Sequence, residues 1–367
     1  MNRRPLTVLF MNSIAKTVWG GGEKWMITAA LELMKRGHAV TLGCRPGSVL
    51  MTRADEAGVY TVPLGTRFDF DPFKIRKIVR FIRETRTEIL ICNFMKDIRT
   101  AGLAGRLASV PVILARQGLV LFKNRWKYRA AVRYLTDGIL TNSHSIRRTY
   151  LEYGWLKPSN IHVIYNGVSG GLPESGFDLI SRHPVTEGRW VILSAGRLDP
   201  QKGFVDLIEV ARIAHQKGKP WVFLVAGEGP LRDSLQRRID HLNLGNIIQL
   251  IGFQPGLTSL MQACDVFVLP SHFEGMPNVV LEAMIEGKPV VATRINGVQE
   301  LMREGITGCL ADPRDPEHLF SVLLDLFQHP ELQKSMGSAG QARAERHFSN
   351  KRMGTQLEAL LYQLRDS

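Results

Sequence analysis

Short apolar runs alternate with amphipathic stretches along nearly the whole chain. LTVLFM (6–11), AVTLG (39–43), EILICN (88–93), PVILA (111–115), GILTN (138–142) and HVIYNG (162–167) are too short for helices and rich in β-branched residues. Each predicts a buried strand. Between them lie helical patterns, such as the one at about 22–36 that ends at Gly37. Residues 169–188, SGGLPESGFDLISRHPVTEG, break the rhythm with Gly, Pro and Ser, and predict a linker. The alternation then restarts with WVILSAG (190–196), WVFLVAG (221–227), IIQLIG (247–252), VFVLP (266–270), PVVAT (289–293) and GCLA (308–311). A last helix is predicted at about 350–365. This βα rhythm implies an α/β fold of two doubly wound parallel-sheet domains, residues 1–168 and 189–349, facing across a cleft. Ligands are then expected at the carboxyl ends of the strands.

The 367 residues are enough for two real cores, and 44% hydrophobic with 22% charged residues is a globular composition. No apolar run reaches the roughly 18 residues of a membrane span. MNRRPLTVLFMNS reads as a strand rather than a signal peptide. Cys44, Cys92, Cys264 and Cys309 are far apart and form no CxxC pair, which points to reduced thiols in a cytoplasmic protein. The charge of +13 is uneven. Residues 1–168 hold 27 Lys+Arg against 11 Asp+Glu, a net +16, and the remainder is −3. The first half therefore suits an anionic partner. No nucleic-acid motif accompanies this charge.

The candidate chemistry lies at strand ends. In SHFEGMPNVVLEA (271–283), a strand ends, a tight loop turns and a helix closed by Gly287 begins. The first amides of such a helix form an anion site. Glu274 sits at its mouth and Glu282 about one turn in, so phosphate on amides and sugar hydroxyls on carboxylates would suit a nucleotide-sugar. SAGRLDPQKG (194–203) places Arg197 and Lys202 in another strand-to-helix loop, a cationic pair suited to a diphosphate. GGGEKW (20–25) follows the first strand, and Gly21 and Gly22 let backbone approach a substrate closely. GEGP (227–230) brings Gly227 to a similar place, where it either meets a base or turns the chain. DFD (69–71) is a helix start, with Asp71 as N-cap and Pro72 at the first position, rather than a metal pair. The helix it begins (73–86) and LFKNRWKYRAAVRY (121–134) are basic and aromatic enough to touch anionic lipid or an acidic acceptor, and equally fit ordinary amphipathic helices with a solvated charged face. His272 reads as loop packing. The histidines form no metal cluster.

Taken in order, the Gly loop, IYNGV (164–168), SAGRLDPQKG, GEGP, FEGMPNVVLEA and GKPVVAT resemble the retaining GT-B glycosyltransferases of glycosyltransferase family 4, the glycogen-synthase and lipopolysaccharide-core type. The resemblance covers nearly the whole chain. It implies a GT-B fold whose final helix, about 350–367, packs back on the N-terminal, acceptor-binding domain, while the C-terminal domain holds the donor. It implies that Arg197 and Lys202 bind the diphosphate and that Glu274 meets donor hydroxyls. The amides of Met276, Asn278 and Val279 would face sugar and phosphate, and Glu282 the ribose. The chain departs from the family at ARQG, where Arg116 and Gln117 stand in place of a common histidine, and at Ser169, where an acid often follows the NGV.

The implied activity is transfer of a sugar, with retention and without a metal, from a nucleotide-diphosphate sugar, UDP-type, to a glycan or glycolipid hydroxyl. Bacterial lipopolysaccharide or polysaccharide synthesis is the expected setting, with the protein cytoplasmic or peripheral at the inner membrane face. No resident cofactor is expected. The alternatives are another GT-B enzyme, such as a nucleotide-sugar epimerase or a phosphorylase, and a non-catalytic sugar-binding protein. A phosphorylase would need a cofactor lysine and a longer chain, an epimerase should lack the combined motifs, and intact Arg197, Lys202, Glu274 and Glu282 argue against lost activity.

Overall fold

Each apolar run becomes a strand in the computed structural model, which describes residues 3–120, 122–172, 174–254 and 256–367. Leu121 of the basic stretch, Pro173 of the 169–188 segment and the first two residues of the N-terminal run lie outside the described residues. The first sheet has strands β1 (Thr7–Asn12), β2 (Ala39–Cys44), β3 (Thr61–Val62), β4 (Ile89–Cys92), β5 (Val112–Gln117), β6 (Gly138–Thr141) and β7 (Ile161–Val163). Their order is β3-β2-β1-β4-β5-β6-β7, and every pairing is parallel. The second sheet has β8 (Trp190–Ala195), β9 (Trp221–Ala226), β10 (Ile248–Gly252), β11 (Val266–Leu269), β12 (Val290–Thr293) and β13 (Cys309–Ala311), in the parallel order β10-β9-β8-β11-β12-β13. The two-residue β3 is too short to leave a hydrophobic signature and was not expected.

Alternation within a strand explains the double covering. In β1, Val8 and Phe10 enter a core shared with helices Gly21–Met34 and Asn350–Arg365, while Leu9 and Met11 enter one shared with Ile78, Ile82 and Val132 on the opposite face. The second sheet packs Trp221, Phe223 and Val225 against helices Phe204–Gln216 and Pro316–Gln328.

The chain divides into two compact units, one of residues 1–167 with 350–367 and one of 168–349. The 169–188 segment belongs to the second: Gly171 N–H donates to Glu286 (2.9 Å) and Glu174 N–H to Ser259 (2.7 Å), and it includes a short helix, Leu179–Arg182. The final helix belongs to the first unit. Gly354 lets it lie against Glu32 and Arg36, where a Cβ would come within 2.7 Å of Glu32 Cβ, and Glu358 meets His38 Nε2 at 2.9 Å.

Helix Pro72–Thr85 starts as its sequence dictates. Asp71 accepts from Lys74 N–H at 3.1 Å, and Pro72 occupies the first turn. Asp69, the other carboxylate of DFD, pairs with Arg99. Ile78 and Ile82 are buried, but Phe73 is 86% exposed, so the helix leaves an aromatic ring in solvent.

The strand order of the first sheet reverses between β1 and β4, and buried Asp97 ties the two strand ends together. Its Oδ2 accepts from Ser13 N–H (3.2 Å) and Phe94 N–H (3.0 Å), while its Oδ1 has no partner among the described residues. Burial pushes the carboxyl up to about 6, against these hydrogen bonds. A carboxyl raised above its unfolded value is protonated in the fold first, so its contribution to stability falls as pH rises from about 4 to about 6. Asp97→Asn keeps an acceptor for the two amides and removes the titration. Relative to the wild type, it should gain about 2 kcal/mol between pH 4.5 and pH 7.5. Paired urea melts measure this, and a constant difference across the range would refute it.

Candidate functional site

In the second sheet the order reverses between β8 and β11, and the loops leaving the carboxyl ends of these neighbours carry the predicted residues. After β8, Asp199 accepts from Gln201 N–H at 3.1 Å and starts a single turn, Pro200–Lys202. Gly203 follows with φ +66° and opens helix Phe204–Gln216. A Cβ on Gly203 would lie 2.0 Å from the carbonyl oxygen of Pro270, so only glycine lets the two loops touch. His272 N–H then donates to Gln201 O at 2.8 Å, and His272 Nε2 meets Asp206 Oδ2 at 2.8 Å. His272 is thus a packing residue between the loops.

This lacing brings Lys202 and Glu274 into contact. Lys202 Nζ lies 2.5 Å from Glu274 Oε1, which also accepts from Ser271 Oγ at 2.9 Å. Gln201 Nε2 donates to Glu274 Oε2 at 3.4 Å. The Glu274 side chain is only 7% exposed, so its charge depends on this cation and these donors. Arg197 differs: its side chain is 66% exposed and its nearest carboxylate, Asp199, lies 4.0 Å away. One cation is held in place and the other is accessible. A bound anion would share Lys202 with Glu274 and recruit Arg197 from solvent.

Helix Asn278–Ile285 begins beside this pair. Its N-cap is Pro277, which offers no side-chain acceptor to the first-turn amides. Glu282 lies one turn into it, Asn278, Val279 and Glu282 are half-buried, and Met276 is buried. The amides of a helix start and two carboxylates therefore occupy one strand end. From β12, helix Asn296–Leu301 supports the loop from behind: a Cβ on Gly297 would lie 2.3 Å from Gly275 O.

Gly227 has a structural reason of its own. It sits at φ +150°, and a Cβ there would lie 1.9 Å from Gly196 O. Leu198 N–H donates to Glu228 O at 2.9 Å and Leu231 N–H to Leu198 O at 3.0 Å, so the GEGP loop holds the Arg197 loop.

Gly21 and Gly22 belong to the other unit. They open helix Gly21–Met34, whose N-cap Gly20 makes no side-chain cap. Gly22 faces Arg116 Nη1 and Asn93 Nδ2. No role followed from sequence for Asn93, an isolated polar residue after a strand, nor for Ser271 and Gln201, uncharged residues inside the quoted loops.

Each unit carries a surface recess among the described residues. One, of about 350 Å³, is lined by Arg294, Glu304, Cys309, His318 and Asp325. Arg294 there is committed to Glu304 at 2.5 Å, and no predicted site residue lines it. The other, of about 340 Å³, lies in the first unit among Phe94, Met95, Lys96, Gln117, Phe122 and Tyr128. The four thiols are unbridged. No helix among the described residues is long and apolar enough to cross a membrane.

Known families match both units. The model of glycosyl transferases group 1 matches residues 178–343, and that of Glycosyltransferase Family 4 matches residues 19–169. The chain carries two glycosyltransferase domains. It is 26% identical to the lipopolysaccharide core biosynthesis glycosyltransferase LpsE of Rhizobium meliloti, over 90% of this chain and 92% of that one. The amylovoran biosynthesis glycosyltransferase AmsK of Erwinia amylovora is 32% identical over 47% of this chain and 44% of its own. Among solved structures, Anabaena HepE in complex with UDP and glucose superposes with a TM-score of 0.85 at 22% identity, covering 98% of this chain and all of that one. The fold is GT-B, and the relatives are glycosyltransferases of lipopolysaccharide and polysaccharide biosynthesis.

Proposed function

We propose that this glycosyltransferase moves a hexose from a UDP-sugar to a hydroxyl of a glycan or glycolipid, with retention and without a metal. The observation that carries the reading is the meeting of Lys202, Glu274 and the uncapped start of helix Asn278–Ile285 at the point where the second sheet reverses. Lys202, Arg197 and the amides around Met276, Asn278 and Val279 take the diphosphate. Glu274 accepts from donor sugar hydroxyls and Glu282 from the ribose, while Gly227 shapes the loop; within the N-terminal unit, Gly21 and Gly22 are assigned to substrate binding. In the reaction the bond from the anomeric carbon to the β-phosphate oxygen breaks and the acceptor oxygen joins that carbon on the same face. The acceptor's proton passes to an oxygen of the departing phosphate. The cations and amides stabilise the charge that builds on the diphosphate. HepE crystallised with UDP and glucose, and the relatives AmsK and LpsE are glycosyltransferases of amylovoran and of lipopolysaccharide core biosynthesis, which supports the substrate class.

Water can replace the acceptor in a slow side reaction, which tests the chemistry without knowing the acceptor. Over a panel of UDP-α-hexoses, proton NMR should show one donor releasing α-hexose first, before mutarotation, with the rate unchanged by exhaustive chelation. First-formed β-hexose would refute retention. Turnover lost on chelation and restored by magnesium or manganese would refute metal independence.

The acceptor side is proposed to be peripheral at the cytoplasmic face of an anionic membrane. Phe68, Phe70, Phe73 and Trp126 are 71%, 51%, 86% and 75% exposed. The Asp69–Arg99 pair, with Arg99 lying over Tyr128, links their two segments. Exposed Lys77, Lys123, Arg125 and Lys127 surround them. Rings at headgroup depth with cations beside them suit such a surface. Lys74 and Arg80 contribute less, being engaged by Pro63 O and Glu84. Binding to vesicles of anionic lipid should fall steeply with salt, and Phe73→Ala with Trp126→Ala should weaken it about tenfold or more. Equal sedimentation of wild type and double variant at low salt would contradict this.

A further inference from the structure

A buried cation in the first unit lacks the anion that its position calls for. Arg116 is the last residue but one of β5, with only 5% of its surface exposed. Its guanidinium lies 4.5 Å over the Trp25 ring on one side and is covered by Gly118, where a Cβ would come within 3.0 Å of Cζ. Among the described residues it donates no hydrogen bond and has no carboxylate within ion-pair distance. Glu23 is the nearby acid, and its carboxylate is held by Asn12 Nδ2 at 2.9 Å. Burial lowers the Arg116 group to about 10, with Glu23 opposing, so it stays a cation at neutral pH. A guanidinium has five donors, and here they are not among the fully buried unpaired atoms of the described residues, so they keep a narrow contact with solvent and are open to a ligand.

The unused donors converge on one spot. Arg116 Nη1 would lie 3.3 Å from a Cβ on Gly22, and Asn93 Nδ2 3.7 Å from it. Asn93 is 3% exposed and its side-chain amide donates to nothing among the described residues. The same spot lies at the start of the fourteen-residue helix Gly21–Met34, which has no side-chain cap. A side chain at position 22 would fill it, and glycine leaves it open.

We propose that Arg116 and Asn93, at the start of helix Gly21–Met34, read one compact anionic group, a carboxylate or a phosphate, carried on the sugar of a substrate, so that this glycosyltransferase is specific for an acidic sugar. The proposal rests on the glycosyl-transfer reading. The group can arrive on the donor, as a hexuronic acid, or on the acceptor, as a phosphorylated sugar, and both present oxygens to the same planar fork.

Calorimetric titration of the full chain separates these sources. One arm compares UDP-glucuronic and UDP-galacturonic acid with UDP-glucose and UDP-galactose. The other compares hexose 6-phosphate with hexose at saturating UDP. In one arm the acidic ligand should bind about tenfold tighter or more, and Arg116→Gln should abolish the preference while Arg116→Lys keeps part of it. UDP alone should bind wild type and Arg116→Gln alike, and failure of UDP to bind the wild type would overturn the underlying transferase reading instead. With UDP bound, a wild type that prefers the acidic ligand less than twofold in both arms overturns the proposal. So does an Arg116→Gln variant that retains the preference. The wild-type comparison stands even if the variant fails to fold.

Discussion

Lys202→Ala is expected to lower the rate of sugar transfer by about 10²–10³-fold, and Arg197→Ala by a similar factor, the cost of losing one preorganised donor to a departing group. The two reach this by different routes. Lys202 is held against the nearly buried Glu274 at 2.5 Å, so its removal also leaves that carboxylate with Ser271 and Gln201 alone. Arg197 stands in solvent, and its loss should leave the melting temperature unchanged. Steady-state turnover beside thermal melts separates these effects. Near-normal turnover in both variants, with the fold intact, would remove Arg197 and Lys202 from the chemistry.

Gly227→Ala is expected to destabilise the protein by about 2–4 kcal/mol and to reduce transfer with it. A methyl at φ +150° would enter backbone, 1.9 Å from Gly196 O, where no flexible side chain can yield. The two loops would have to part, and the Arg197 loop would lose its hydrogen bonds to Glu228 and Leu231. Gly218 is the control. It has φ +61° and nothing within 4 Å of a Cβ, so alanine there meets only the backbone strain of about 1 kcal/mol. Urea melts of both variants measure the contrast. Equal losses would show that the close approach to Gly196 does not matter.

The strands were readable because parallel strands buried on both faces appear as continuous apolar runs, from LTVLFM to GCLA. The two-residue β3 has no such run. The helix at Pro72 was readable from Asp71 and Pro72, whose chemistry is local. Its exposed Phe73 was not, because the neighbours that leave a ring uncovered are distant in sequence. At the site, glycines and charges near strand ends marked the right loops. Nothing local in the sequence marks the closing of Lys202 on Glu274, 72 residues away, or the need for Gly203 to let Pro270 approach. Arg197 and Lys202 look like equivalent cations in the sequence, whereas Lys202 is held against Glu274 and Arg197 is exposed with only Asp199 at 4.0 Å. Arg116 and Gln117 drew notice only as a departure from family pattern, and the burial of Arg116 without a partner became visible only in three dimensions.

The most direct test of the account is a calorimetric titration of UDP into the full-length protein and into the Arg197→Ala, Lys202→Ala double variant, in the presence of a chelator. The account predicts one saturable site in the wild type without metal, and binding weakened about tenfold or more in the double variant, which still melts cooperatively, at a temperature lowered by the loss of the Lys202–Glu274 pair. Equal affinity in the two proteins, or no UDP binding by the wild type, would contradict it.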